Sequence, residues 1–299
     1  MMLIMTLLVR DEADILALNL EHHLAQGVDF FIVTDNGSVD ATPDILQTYV
    51  DRGLLELIQE PSETYAQSRW VTRMAQRAAA RGADWVIHAD ADEFWIAAQP
   101  GVRLRKVIRR TPQDQSVLAV QRWNAALSRR VDHHDQLDPT TIRWFDSDSR
   151  NSAGKPLPPK VLHRGCATVQ IGQGNHSLTW PDPAVQTHQS SDLLILHLPL
   201  RGFRHYERKI RQGGRSYAAN ADLPARIGAT WRNDHLIYLS GDLRRHWREQ
   251  LLSRTQLLRG RLSGRFRQPP NPITAAQPTR GVICLADDNY FFGVRLLYQ

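Results

Sequence analysis

Trp85-Val86-Ile87-His88-Ala89-Asp90-Ala91-Asp92-Glu93-Phe94 is the stretch on which the fold of this 299-residue chain turns. Trp85–His88 is an apolar run of strand length, and acids follow it at once. In an open α/β sheet, ligands bind beyond the carboxyl ends of the strands. Acids placed there point to chemistry more than to stability. Alternation along an extended chain puts Asp90 and Asp92 on the same side, two residues apart. A bare Asp-x-Asp is common, and its alternative reading is a helix cap with exposed turn acids. Its position behind an apolar strand is what gives it weight.

Working back from this stretch, three strand–helix units precede it. Residues 2–9 are continuously apolar, as in a strand covered on both faces. Ala13, Leu16, Leu20 and Leu24 form a helical stripe that Gly27 stops. Residues 29–34 read as the second strand. Ser38, Asp40, Thr42 and Pro43 supply caps and a start for a helix over 44–51. Residues 54–58 read as a third strand and 63–81 as a helix. This alternation predicts an α/β fold: a doubly wound, mainly parallel sheet with helices on both faces.

Acidic groups follow three of the four strands: Arg10-Asp11-Glu12, Asp35 through Asp40, and Asp90-Ala91-Asp92-Glu93. Like charges brought to one edge raise each other's pKa. A divalent cation such as Mn²⁺ or Mg²⁺ would resolve the conflict, since hard cations share carboxylates with substrate phosphates. Turn capping accounts for Ser38 and Asp40 but leaves Asp35, which can bond a nucleobase or a ribose hydroxyl. No Gly-x-Gly-x-x-Gly and no Gly-Lys-Ser/Thr follows a strand, which argues against a dinucleotide fold or a P-loop.

Beyond residue 100 the alternation fades. Residues 117–123, 161–162, 167–171 and 193–198 read as strands, and 146–160 as a polar loop or lid. Residues 202–220 and 242–262 read as basic helices, and the Pro-rich stretch 264–277 as a wandering tail. Hydrophobic residues at 42% and charged residues at 23% exclude collagen-like, disordered and coiled-coil chains. Lysine and arginine number 37 against 31 acids, a net charge of +6. Only Lys106, Lys155, Lys160 and Lys209 are lysines. Arginine suits phosphate and carboxylate partners, which leaves an anionic ligand or a membrane surface open. Cys166 and Cys284 are too few for a disulfide framework, so a reduced, cytoplasmic setting is expected. The apolar start, residues 1–9, is too short to span a bilayer and lacks the flanks of a signal peptide. The expectation is a soluble protein, at most peripheral at the inner face of the membrane.

Four blocks resemble the family 2-like glycosyltransferases of the GT-A fold. They are Leu7–Ile15; His22 to Asp29 with Asp35-Asn36-Gly37-Ser38-Val39-Asp40; Asp84–Phe94; and, more loosely, His197–Arg201 with Tyr206 and Lys209. The resemblance implies a hexosyltransferase that moves a sugar from a nucleotide sugar, a UDP-sugar, to a hydroxyl of a glycan or glycolipid. Cell-surface polysaccharide synthesis is the expected setting. It implies a catalytic domain over 1–210, with a nucleotide-binding half (1–95) and an acceptor half (96–210), and an Arg-rich helical extension over 211–299. By the same analogy Arg10, Glu12, Asp35 and Asp90 contact the nucleotide sugar. Asp90 and Asp92 serve the metal, with His176 or His197 as a late ligand; a lone histidine in an apolar run such as 193–200 is otherwise a core residue. His163 is a weaker candidate of the same kind. Lys160, Arg164, Arg201 and Arg204 could face the diphosphate. An inverting transfer needs a carboxylate base, and Asp146, Asp192 and Glu207 form the shortlist. Trp123, Trp144 and Trp180 could stack on a sugar. Two other readings stay open: a phosphohydrolase with Asp90 as nucleophile and Asp92 as acid, and a non-catalytic binder of nucleic acid or anionic lipid, which clustered carboxylates oppose. No nucleic-acid partner is expected.

Overall fold

The computed structural model describes residues 1–62, 66–134, 137–150, 154–219 and 229–274. The first half alternates as its sequence predicts: β1 (Leu3–Val9), α1 (Leu16–Gln26), β2 (Phe30–Asp35), α2 (Thr42–Asp51), β3 (Leu55–Gln59), α3 (Gln67–Ala80) and β4 (Trp85–Ala89). Then come β5 (Glu93–Ala97), α4 (Leu104–Arg109), β6 (Val117–Ala125), β7 (Phe145–Asp146), β8 (Lys160–Arg164), β9 (Gln170–Ile171), β10 (Leu178–Thr179) and β11 (Thr187–His197). The C-terminal part holds α5 (Phe203–Ala219), α6 (Ala229–Leu239), α7 (Leu243–Gln250), α8 (Arg254–Leu262) and β12 (Phe266–Arg267).

The main sheet runs β12-β7-β6-β8-β4-β1-β2-β3, with β11 beside β6 and β5 beside β11. Strands β1 to β4 pair in parallel. β8 is antiparallel to both β4 and β6, so β6 runs with β4, and β11 is parallel to β6. The carboxyl ends of β1, β2, β4, β6 and β11 and the amino end of β8 therefore meet at one edge.

The run in β1 explains its central place. Leu3, Met5, Leu7 and Val9 pack with Leu16 and Leu20 of α1, Leu46 and Tyr49 of α2 and Leu104 of α4. Ile4 points to the other face, against Val71, Met74, Ala75 and Ala78 of α3. Period-two alternation with both faces apolar is what a strand between two helical layers requires. Gly27 ends α1 in the left-handed region at φ 97°, a conformation that only glycine adopts without strain.

Three features depart from the sequence reading. Asp90–Asp92 is a turn and not an extended strand, with Glu93 N–H donating to Asp90 O at 3.0 Å, and both carboxylates reach the same cleft from it. β5 begins inside the acidic motif, which hides a fully buried strand that leaves β4 to pair with β11. The Pro-rich tail is pinned: β12 pairs with β7, and Asn271 Nδ2 donates to Ala97 O and Gln99 O at 2.8 and 2.9 Å. The remainder of that tail, residues 275–277, and Cys284 lie outside the described residues, as does residue 220.

Helices α5 and α7 build a third apolar cluster from Tyr206, Ile210, Leu243, Trp247 and Leu251, closed by Leu127. Among the described residues no helix is long and apolar enough to cross a membrane.

Candidate active site

Along the shared strand edge, between the sheet and α5, lies a cleft of about 1040 Å³. That is at the upper end of the usual range for small-molecule sites, about 300–1,000 Å³. Strand ends bring Arg10, Asp11, Glu12, Asn36, Asp90 and Asp92 to one wall. Arg122, Asn124, Lys160 and His176 come from β6, β8 and the turn after β9. His197 closes β11, and Arg208 and Lys209 reach in from α5.

Each carboxylate of the acidic turn has its own cation. Lys160 Nζ donates to Asp90 Oδ2 at 2.7 Å and lies 3.2 Å from Glu93 Oε1, with the lysine 1% exposed. Burial alone would raise the Asp90 carboxyl, but Lys160 holds it below the ordinary carboxylate value. Lys209 Nζ donates to Asp92 Oδ2 at 2.9 Å, and Arg201 lies 3.5 Å from the same oxygen. Burial again opposes ionisation, and the charges of Lys209 and Arg201 hold Asp92 well below the usual range. Glu93 goes the other way: burial raises it despite Lys160 and Arg122.

The two late histidines are neutral and present the same atom. His197 Nδ1–H donates to Asn124 Oδ1 at 2.7 Å, which leaves Nε2 as a lone pair 3.6 Å from Asp92 Oδ1. Burial drives this ring down to about 3, against the pull of Asp92. His176 Nδ1–H donates to Pro159 O at 2.9 Å, and burial brings its value to about 4. Gly174, at φ 72°, keeps that ring in place: a Cβ there would lie 2.6 Å from His176 Cδ2.

Two electron-pair donors that face each other, as Asp92 Oδ1 and His197 Nε2 do, repel unless a cation lies between them. Their chemistry suits a borderline or hard divalent ion, so the donor set fits a metal. Asp92 and His197 are a pair; among the described residues the group of three that brings such donor atoms within 4.8 Å of one another is a different one, Glu12, Asp14 and His205. Arg201 already fills it. Its Nε donates to Asp14 Oδ2 at 2.7 Å, and Nη2 donates to Glu12 and, at 2.5 Å, to His205 Nε2. Glu12 is thereby committed to a guanidinium. Arg10 and Arg122 differ, because each lines the cleft with a buried Nε that has no partner in the structure. A buried donor without a partner costs on the order of 1–3 kcal/mol, and a bound anion would satisfy it.

The other sequence candidates are placed as follows. Asp35 is 1% exposed at the end of β2, and its Oδ1 accepts from Ser38 N and Oγ at 3.1 and 2.5 Å; its neighbour Asn36 is the one on the cleft wall. Asp146 lines the cleft, but Arg265 holds both of its oxygens at 2.8 and 2.6 Å. Asp192 is exposed midway along β11, and neither it nor Glu207 lines the cleft. Arg164 sits at the opposite end of the sheet, because β8 pairs it with Trp85; it stacks on that indole and bonds the carbonyls of Thr111, Pro112 and Gln115. Arg204 is exposed and off the cleft wall. None of the three tryptophans lines the cleft: Trp123 packs on the main core, Arg261 covers Trp144, and Trp180 abuts His163. Apolar packing took Trp123 and Trp180, and a guanidinium took Trp144. His163 is buried behind the site against His88.

Sequence reading missed Asn124, Lys209 as the partner of Asp92, and Asp234. Asp234 is 9% exposed on the cleft wall, its carboxyl is raised by burial, and His246 Nε2 lies 3.5 Å away. No local pattern marks any of the three.

The sequence model of Glycosyltransferase family 92 matches residues 5–165, just over half of the chain. The match therefore falls to family 92 and not to the family 2-like group that the motifs resemble, although it covers the same first three blocks. No match is found among curated proteins. Among solved structures, the chain is similar to residues 1–349 of TarS from S. aureus in complex with UDP-GlcNAc, at 13% identity and a TM-score of 0.45, over 79% of this chain and 72% of that one. It is also similar to GalNAc-T7 with UDP, GalNAc and Mn²⁺, at 9% identity and a TM-score of 0.42, over 79% of this chain and 54% of that one.

Proposed function

The chain belongs to glycosyltransferase family 92, and from that premise we propose that its cleft transfers a sugar from a nucleotide sugar, a UDP-sugar, to a hydroxyl of a glycan or glycolipid acceptor. One observation carries this reading. Asp90, Asp92, His197, Lys160 and Lys209 come together at the carboxyl edge of the sheet, with the unpartnered Nε atoms of Arg10 and Arg122 beside them.

The departing group is a nucleoside diphosphate, whose growing negative charge must be stabilised. Lys160, Lys209, Arg10 and Arg122 are fixed cations already oriented around the position, so little reorganisation accompanies the reaction. Asp92 and His197 would hold a divalent ion, Mn²⁺ or Mg²⁺, with Asp90 and His176 close by. Such an ion supplies Lewis-acid stabilisation of the diphosphate. The acceptor hydroxyl loses its proton as its oxygen bonds the sugar carbon and the bond from that carbon to the diphosphate oxygen breaks. Of the two carboxylates on the β7 and C-terminal side, Asp146 is held by Arg265. Asp234 is the one whose raised pKa suits a base. Transfer in one displacement inverts the sugar's configuration.

The test is thermal-shift titration with UDP and GDP, with and without Mn²⁺, on the wild type and on Asp92→Ala. A ligand at a hundred times its Kd stabilises the fold by about 2.7 kcal/mol. Metal-dependent stabilisation by UDP, lost in Asp92→Ala, is expected. No stabilisation by either nucleotide would remove the donor assignment.

A further inference from the structure

On the outside of the helical group, next to the cleft, lies a smaller groove of about 270 Å³ lined by Ser128, Arg130, Arg254, Leu257, Leu258 and Arg261. It adjoins the acceptor side. Ser128 forms a β-bridge with Leu252, and Leu252 and Leu127 are themselves cleft residues. On α8, Leu258 is 54% exposed and Leu262 is 80% exposed. Positions four apart share a helix face, so the two leucines project together. Arg254, four before Leu258, and Arg261, three after it, flank them.

Residues 243–267 carry eight arginines against the single acid Glu249. Several are engaged: Arg244 and Arg248 with Asp132, and Arg265 with Asp146. Arg254 and Arg259 have no acidic partner among the described residues. Two bare leucines on one helix face, beside the guanidinium groups of Arg254 and Arg259 and with Arg261 stacked on Trp144, form a mixed apolar and cationic patch. Its chemistry matches an interface that is anionic outside and apolar just beneath. A second copy of this face would bring the same excess of positive charge. A nucleic acid would pair the arginines and leave the leucines in water.

We propose that α8 and the groove beside it dock on an anionic phospholipid bilayer, with Leu258 and Leu262 entering the boundary between headgroups and acyl chains. This stands independently of the donor chemistry of the cleft. Its consequence is that the acceptor side of the cleft opens next to the membrane surface.

The test is co-sedimentation of the full chain with phosphatidylcholine vesicles, with and without phosphatidylglycerol. Binding is expected only with phosphatidylglycerol, and it should weaken as salt is raised. Leu258→Glu/Leu262→Glu should lower vesicle affinity at least about tenfold, and so should Arg254→Glu/Arg259→Glu. All four side chains are exposed, so an unchanged melting temperature confirms that the variants fold. Absence of binding to anionic vesicles overturns the proposal. Equal binding to neutral vesicles does so too. Loss in the arginine variant with none in the leucine variant also overturns it, because that is adsorption without insertion. A dimer that only the leucine variant dissociates would make the face a self-contact and overturn it likewise.

Discussion

His197 shows how much one side chain's chemistry depends on a residue far away in sequence. Its place at the end of an apolar run is legible, and so are Asp90 and Asp92 behind their strand. What leaves a lone pair on the Nε2 that faces Asp92 is Asn124, 73 positions earlier, which fixes the tautomer. The cation on Asp92 is Lys209, 117 positions later. No spacing rule reaches across such separations, so sequence named the carboxylates and missed their partners. Partners of metal-binding histidines typically matter 10- to 100-fold in affinity. Asn124→Ala should therefore raise the Kd for Mn²⁺ by about 10- to 100-fold, read from the spectroscopic signal of the free ion, with little change in melting temperature. An unchanged Mn²⁺ affinity would count against Asp92 and His197 as the ligand pair.

At the scale of elements, β1, β4 and β8 share a buried polar chain that their apolar runs conceal. His163 Nδ1–H donates to Arg164 O at 2.6 Å, so its Nε2 accepts from His88 Nε2–H at 2.9 Å, and His88 Nδ1 accepts from Thr6 Oγ1 at 2.7 Å. Every ring nitrogen is satisfied only while both imidazoles are neutral. Burial pushes His163 down to about 4, and it does the same to His22 on α1. Both rings are fully buried. An unfolded histidine titrates near 6.5, so between about pH 6.5 and 4 the unfolded chain binds protons that the folded chain does not. The stability these two groups leave intact above pH 6.5 is therefore lost as the pH falls towards 4, by about 2 kcal/mol per group at pH 5. Urea unfolding at pH 7 and pH 5 measures it, and His163→Gln should remove one share of the difference. Equal stability at the two pH values would contradict this account. The strands themselves were readable from periodicity. β5 was not, because its first residue belongs to the acidic motif and its partner, β11, comes a hundred residues later.

At the scale of the whole molecule, the cleft exists because α5 is held across the strand edge. Lys209 and Arg208 reach from it to Asp92 and to Asp11 O. Behind it, Trp247 of α7 is fully buried, packs at 5.4 Å from the Tyr206 ring, and donates to Asp132 Oδ1 at 3.1 Å. Trp247→Ala should cost about 3–5 kcal/mol. It should also weaken nucleoside diphosphate binding, although the residue does not line the cleft. Calorimetry on the folded variant separates the two effects, and intact binding would show that α5 is positioned from elsewhere. By itself the sequence determined the layered sheet, the edge along which the cleft opens and the acids at that edge. Those properties follow from local periodicity and from the rule that strand ends face the ligand. Only the tertiary structure decided that the acids stand on a turn, that each carboxylate meets its own lysine, that Arg201 occupies the Glu12 cluster, and that the tryptophans pack away from the cleft. The reason is physical: burial fixes pKa values, tautomers and ion pairs, and burial is a property of contacts between distant segments.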